Sequence, residues 1–248
     1  MRKNKLVIIP TYNELENISV MIHEIMGLED DFELLIIDDN SPDGTADIVK
    51  NLQKTFPEKL HLLQRSGKLG LGTAYIEGFK YAITNDYEYV FEMDADFSHN
   101  PHDLIRLFEA CEVQGFDMAI GSRYITGVNV VNWPMGRVLM SFFASKYVQF
   151  ITGLPIKDTT AGFKCYHTRV LKAMDFTKIK FIGYAFQIEM KFTAWKLGFK
   201  IIEVPIIFTD RTRGTSKMTS GIFKEAIFGV LYMKLKSIFK PLKPVNQI

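Results

Sequence analysis

Short apolar runs that stop abruptly in polar turns, each followed by a helical pattern, constrain this chain more than any other feature. Leu6-Val7-Ile8-Ile9 is a continuous apolar run ended by Pro10, and it reads as a buried parallel strand. The polar turn Thr11-Tyr12-Asn13-Glu14 follows, then Ile18, Met21, Ile22 and Ile25 at the spacing of one helix face. Glu33 to Ile37 repeats the strand pattern and closes in Asp38-Asp39-Asn40-Ser41-Pro42-Asp43-Gly44-Thr45. Ala46, Val49, Leu52 and Phe56 mark the next helix, and Leu60 to Gln64 a third strand. Strands alternating with helices predict an α/β fold, a mostly parallel sheet with helices on both faces. Ligands of such sheets bind beyond the carboxyl ends of the strands, near the switch in strand order. Tyr12, Glu14, Asp38, Asp39, Asp94 and Asp96 all fall at or just past predicted strand ends.

The run Tyr87 to Met93 predicts a further strand that delivers Asp94 and Asp96 one residue apart. Side chains alternate along an extended chain, so the two acids are expected on one side. Adjacent carboxylates repel, and a hard divalent cation removes that cost. Mg²⁺ takes one or two carboxylates plus substrate phosphates, which suggests a nucleotide-diphosphate site; the plainer alternative is two solvated acids at a strand end. Arg65-Ser66-Gly67-Lys68-Leu69-Gly70-Leu71-Gly72-Thr73 is a glycine-rich, basic loop leading into a helix that ends near Thr84. Backbone amides in such loops meet phosphate, although this one lacks the Walker spacing and the dinucleotide glycine order. His99 stands alone in its loop and reads as a structural hydrogen-bonding residue rather than a metal ligand.

At 248 residues the chain fits one large α/β domain or two small ones, and its formal charge of +2 argues against nucleic acid as a partner. Cys111 and Cys165 form no metal-spaced pair and suggest no disulfide framework, which fits a reduced, cytoplasmic setting. The apolar stretch near the start is too short for a signal peptide, and no uncharged apolar run reaches the roughly 18 residues of a membrane span. A strongly apolar helix is predicted from Trp133 to about Thr152, with Arg137 and Ser141 one turn apart on one face. Ile201 to Phe208 reads as a strand that Pro205 makes edge-like, and the charged loop Asp210 to Lys217 suits closure over a diphosphate. From Gly221 onward, apolar residues mix with Lys224, Lys234, Lys236 and Lys240, a basic amphipathic pattern that suits a membrane interface or packing on the domain. The expected division is 1–218 for the α/β domain and 219–248 for this helix and tail.

Five motifs occur in a telling order: Pro10-Thr11-Tyr12-Asn13-Glu14; Asp38 to Thr45; Gly70-Leu71-Gly72; Asp94-Ala95-Asp96 with Ser98-His99; and Gly121-Ser122-Arg123-Tyr124. From about Leu6 to Lys217 the chain resembles the polyprenol-phosphate (dolichol-phosphate) mannosyltransferases, family 2 glycosyltransferases of the Rossmann-related GT-A fold. The resemblance implies that Pro10, Tyr12, Glu14 and Asp39 hold the nucleotide of a sugar donor. It places Mg²⁺ or Mn²⁺ on Asp94 and Asp96 with Ser98, where relatives can carry Gln. It implies that Arg123, Arg137 and Ser141 bind the acceptor phosphate and that Arg211 and Lys217 contact the donor phosphates. Asp96, Arg123, Arg137, Arg211 and Lys217 would then carry catalysis, with Gln187 and Glu189 as polar contributors. The implied reaction is inverting transfer of mannose from GDP-mannose to a polyprenyl monophosphate, at the cytoplasmic face of a membrane, with a separate membrane partner protein left open. A UDP-glucose or UDP-N-acetylhexosamine donor, or a catalytically silent module that binds nucleotide sugar and docks on membranes, are the alternatives.

Overall fold

A computed structural model describes residues 5–210, 221–239 and 242–245. The chain begins β1 (Lys5–Thr11), α1 (Leu15–Met26), β2 (Glu33–Asp38), α2 (Thr45–Leu52), β3 (Leu60–Gln64), α3 (Leu71–Thr84) and β4 (Tyr89–Glu92). It continues α4 (Asp103–Glu112), β5 (Met118–Ser122), β6 (Val130–Val131), α5 (Met135–Thr152), β7 (Lys164–His167) and α6 (Thr168–Lys172). Then come a 3₁₀ turn (Phe176–Lys178), α7 (Tyr184–Lys196), β8 (Ile201–Pro205), β9 (Phe208–Thr209) and α8 (Gly221–Phe239). The expected boundary between 218 and 219 falls outside the described residues.

The main sheet has the order β3-β2-β1-β4-β7-β5-β8, while β6 and β9 pair separately. Its pairs are parallel except for those of β7, which runs antiparallel to both neighbours. Both faces are covered, which explains the unbroken apolar runs. Val7 and Ile9 face α1, α2 and α4 through Ile18, Met21, Ile22, Val49, Leu104 and Leu107. Leu6 and Ile8 face α3, α6 and α7 through Ala74, Tyr75, Phe79, Val170, Phe186 and Met190. From β1 the order runs to β2 on one side and to β4 on the other, so the switch point, and the crevice it opens, lies at the carboxyl ends of β1 and β4.

Three strand expectations change. Pro10 does not end β1 but lies within it, opposite Ile37. Met93 N donates to Ile8 O, so Ile8 faces β4, and Pro10, two residues on, faces the same side. The β1–β4 ladder has already ended at Ile8 and Glu92, so the missing proline N–H costs no ladder bond. The strand expected over Tyr87 to Met93 stops at Glu92, where its pairing with the strands on both flanks ends. Asp94 and Asp96 therefore sit in a loop, and strand alternation does not set their direction. The strand expected over Ile201 to Phe208 breaks after Pro205 into β8, at the sheet edge that the proline implies, and β9.

Strand β7 has no counterpart in the sequence reading, because a lysine argues against a central strand. Lys164 is fully buried there and pairs with the equally buried Glu92 at 2.9 Å. Tyr166 Oη donates to the other Glu92 oxygen at 2.7 Å, and Lys164 also donates to Gln187. Burial pushes the Lys164 ammonium pKa down while Glu92 opposes the shift. Breaking such a pair strands a charge in the core. Lys164→Met is expected to cost about 3–5 kcal/mol in urea unfolding. The double variant with Glu92→Leu, which removes both charges, is expected to regain most of that loss.

Candidate active site

The crevice at the switch point is built from strand ends. Past β1 and β2 the backbone turns through Asn13 and Asn40, at φ 56° and 57°, left-handed positions that asparagine tolerates. Asp38 is fully buried and accepts from Thr11 Oγ1 (2.9 Å), Ser41 Oγ (2.6 Å) and Ser41 N (2.9 Å), so it ties the two turns together. Asp43 accepts from Thr45 and from Leu15 N, joining the starts of α1 and α2. Burial alone would raise its pKa, but these bonds hold the carboxyl below the usual range. Thr45 Oγ1 in turn accepts from Glu14 N at 3.0 Å. Asp39 follows β2, its amide bonded to Thr11 O at 3.0 Å, and its carboxylate meets Arg65 Nε at 2.6 Å. Tyr12 is half-buried with Lys68 Nζ 5.0 Å from its ring centre. Pro10, Tyr12, Glu14 and Asp39 are thus brought to two adjacent strand ends.

The acidic loop lies beside them, past β4. Asp94 is half-buried, and Asp96, 9% exposed, accepts from Ser98 N at 3.1 Å. Phe97 between them has φ 58°, a conformation rare for a bulky side chain and a mark of a loop held by its surroundings. The Tyr75 phenol beneath donates to Met93 O at 3.3 Å, and burial, with Asp94, Glu92 and Asp96, pushes its pKa well up. Gly162 passes close by: a Cβ there would stand 3.9 Å from Asp94 Oδ2 and 3.7 Å from Gln187 Nε2. Among the described residues no group of three or more His, Cys, Asp and Glu could hold a metal ion. Two hard carboxylates fit a Mg²⁺-like cation that completes its shell with substrate and water oxygens. The Ser98 side chain is buried against this loop. His99 stacks on Phe163 (4.9 Å between ring centres) and meets Phe208 edge-on (5.3 Å), so it is held by ring packing rather than by the hydrogen bonding expected of it: its Nδ1 is buried with no hydrogen-bond partner among the described residues.

Past β5, at the start of α5, stands a wall of rings and paired cations. Arg123 grips Asp158 with Nε (2.7 Å) and a terminal nitrogen (2.6 Å), and donates to Thr160 Oγ1 at 2.8 Å. Burial would raise the Asp158 carboxyl pKa, but Arg123 outweighs it and holds it low. Arg137 pairs with Asp210 at 2.8 Å and lies 4.1 Å from the Trp133 ring centre, which Arg123 approaches at 5.4 Å. Ser141 faces the Tyr124 phenol, and Tyr124 lies 5.3 Å from the Arg123 guanidinium carbon. Arg123, Arg137 and Ser141 are therefore gathered around Trp133 and Tyr124. Glu189 is spent elsewhere, accepting from the amides of Lys180 (2.9 Å) and Phe181 (3.0 Å), whereas Gln187 accepts from Lys164 through Oε1 and keeps its Nε2 beside Gly162, near the acidic loop. Arg211 and Lys217 lie outside the described residues.

Residues 6–175 match the family described as Glycosyl transferase family 2. The chain belongs to that family. This family-2 transferase is 42% identical over 225 residues to the polyprenol monophosphomannose synthase of Mycolicibacterium smegmatis, spanning 91% of this chain and 84% of that protein. It is 41% identical over 238 residues to the undecaprenyl-phosphate mannosyltransferase of Micrococcus luteus, spanning 96% and 97%. Its fold is shared with glucosyl-3-phosphoglycerate synthase from Mycobacterium tuberculosis in complex with Mn²⁺, UDP and glucosyl-3-phosphoglycerate, at TM-score 0.64, 17% identity and 95% and 79% coverage. It is also shared with a mannosyltransferase from Pyrobaculum calidifontis in complex with GDP-Man and Mn²⁺, at TM-score 0.60, 18% identity and 98% and 66% coverage. Among the described residues no helix is long and apolar enough to cross a membrane.

Three residues that build this crevice have no role in the sequence reading: Arg65, Asp158 and Glu203. Arg65 opens the glycine-rich loop singled out there, but nothing local shows which distant partner it or Asp158 will meet. Glu203 Oε1 accepts from Ser122 Oγ (2.7 Å) and Asp158 N (2.8 Å), fixing the strand that presents Arg123. The setting of His99 has a measurable consequence. Burial lowers its pKa from 6.5 to about 4, against an opposing pull from Asp96. Between those values the unfolded chain binds a proton that the folded chain refuses, so stability rises with pH across the window and is lost on acidification. Urea unfolding of the metal-free protein at pH 4.5 and 6.5 is expected to show a smaller loss for His99→Phe than for wild type, by about 2 kcal/mol.

Proposed function

We propose that this chain transfers mannose from GDP-mannose to a polyprenyl monophosphate, with inversion at the sugar C1 and with Mg²⁺ or Mn²⁺ bound. The observation that carries the reading is identity above 40% to two mannosyltransferases of polyprenyl phosphates, along nearly the whole of this chain. The site chemistry supports it. Tyr12 and Asp39 take the nucleoside, beside Pro10 and Glu14. Asp94 and Asp96 would hold the cation, which supplies positive charge to the departing diphosphate. Arg211 and Lys217 remain the expected further contacts to that diphosphate.

On the wall past β5 Arg137 is a guanidinium stacked on Trp133 and paired to a half-exposed Asp210, so an incoming phosphate competes with that carboxylate for it. Arg123, clamped by Asp158, adds fixed positive charge behind it. Ser141 offers a hydroxyl from the same face of α5. A phosphate monoester is already largely a dianion near neutral pH, so its oxygen attacks C1 with no proton to remove. That suits a site whose one nearby histidine is neutral and walled in by rings. Attack in line, from the face opposite the diphosphate, inverts C1.

The acceptor's lipid places the site at a membrane surface. Helix α8 packs on α5 and α7 through Val230 and Met233 against Val148, Ile188 and Phe192. Its other side leaves Phe228, Leu231, Leu235, Ile238 and Phe239 exposed, and α5 exposes Met135, Leu139, Phe143 and Phe150. Such neighbouring apolar side chains fit a bilayer interface. Lys234 is turned away from that role, donating to Thr152 O at 3.2 Å.

Purified protein given GDP-mannose, Mg²⁺ and a short polyprenyl phosphate is expected to yield the mannosyl lipid, identified by mass. Asp96→Asn is expected to lower its rate by about 10²–10³ with the melting temperature kept. Full activity in the Asn variant or in EDTA would refute the cation's role. In vesicle flotation, Phe228→Ser with Leu235→Ser is expected to reduce binding severalfold; unchanged flotation would leave α8 with packing alone.

A further inference from the structure

The glycine-rich loop reads in the sequence as a phosphate contact, yet its first residue points elsewhere. Arg65 follows β3 directly and turns inward, its side chain 2% exposed. Nε and a terminal nitrogen reach the same Asp39 oxygen, Oδ1, at 2.6 and 2.5 Å. The other contacts run to Thr73 Oγ1 (2.7 Å) and Gly70 O (3.3 Å), with Glu77 3.9 Å away. Every nitrogen of the guanidinium is committed to protein acceptors, so Arg65 is a brace rather than a phosphate ligand. It joins the ends of β2 and β3 to the start of α3. Gly70, at φ 102° and packed against Ile182, fixes the carbonyl it grips.

This brace leaves Asp39 in an unusual condition. One oxygen carries two charge-assisted bonds, while among the described residues no donor reaches Oδ2. The carboxylate is 10% exposed at the mouth of the crevice, its amide bonded to the strand end that presents Tyr12. A carboxylate held this way is a pure acceptor of fixed direction. It accepts from a base that presents a ring N–H, as guanine does at N1 and uracil at N3. Adenine and cytosine present a lone pair at the corresponding ring nitrogen, and two acceptors facing each other out of water are repelled.

We propose that Arg65 is a positioning residue that sets the choice of nucleobase: by pinning Oδ1 of Asp39 it aims Oδ2 at a ring N–H and so selects guanine and uracil over adenine and cytosine. The proposal rests on the donor-site reading above. An arginine suits the task because its rigid fork puts two nitrogens on one oxygen, which a lysine cannot do.

The test is calorimetric titration of the full chain, in Mn²⁺, with GDP, UDP, ADP and CDP. Wild type is expected to bind GDP and UDP on the order of tenfold or more tighter than ADP and CDP. Arg65→Lys keeps the charge and loses the fork; the ratio of keto to amino bases is expected to fall toward one. Thr73→Val, which removes one anchor of the guanidinium, is expected to move the ratio the same way by less, and it serves if the lysine variant does not fold. Asp39→Asn is expected to abolish the preference. If Asp39→Asn abolishes it while Arg65→Lys and Thr73→Val lower only the melting temperature, Arg65 is structural and the proposal fails with the donor site intact. If Asp39→Asn leaves all four affinities unchanged, the donor-site reading fails and takes the proposal with it.

Discussion

Carboxylates crowd the carboxyl ends of β1, β2 and β4, largely out of water, and the need to compensate them shapes what surrounds them. A buried charge is tolerated only with a counter-charge or several hydrogen bonds. Asp38 is satisfied by hydroxyls and an amide from the two turns it joins. Asp39 is held by Arg65, Asp158 by Arg123 and Glu92 by Lys164. Each partner is distant in sequence, so each pair staples one part of the chain to another at the crevice. The same pairs fix the direction of the side chains that line it. Electrostatic compensation and site geometry are therefore one arrangement rather than two.

The backbone serves the same end. Where β1, β2 and β4 finish, the chain turns through the left-handed residues Asn13, Asn40 and Phe97. Two are asparagines, which take that conformation at little cost; the third is a phenylalanine inside the acidic loop. Phe97 is kept there because Ser98 and His99, on its far side, are buried against the neighbouring strands. The loop is thereby presented at the switch point, where the strand order leaves the sheet open.

Helices α5, α7 and α8 form a second layer with different economics. Their shared cluster is small, built around Val148, Ile188, Phe192, Val230 and Met233, and apolar side chains such as Phe143, Phe150, Phe228 and Phe239 are left outside it. Phe181 lies under Gly229 of α8, in the segment whose amides are held by Glu189 and whose Ile182 carbonyl receives Gly72 N. The apolar face of this layer is thus in continuous contact with the glycine-rich loop and, through Arg65, with Asp39.

The sequence by itself determined the layered α/β fold, the strands β1 to β4 with the helices between them, and the strand ends where chemistry gathers. Those features are local: apolar period, turn residues and caps are written in adjacent positions. The motif order also carried the family, because five short patterns in sequence are far more specific than any one. Tertiary structure alone decided that Lys164 belongs to a central antiparallel strand, that Pro10 continues β1, and that Arg65 faces Asp39 rather than a phosphate. It alone decided that Glu189 holds a loop and that Arg123 is clamped by Asp158. The physical reason is common to all of these. The cost of burying a charge, or of losing one backbone donor, is set by what stands opposite in space, and that partner is named only when strands distant in sequence come together.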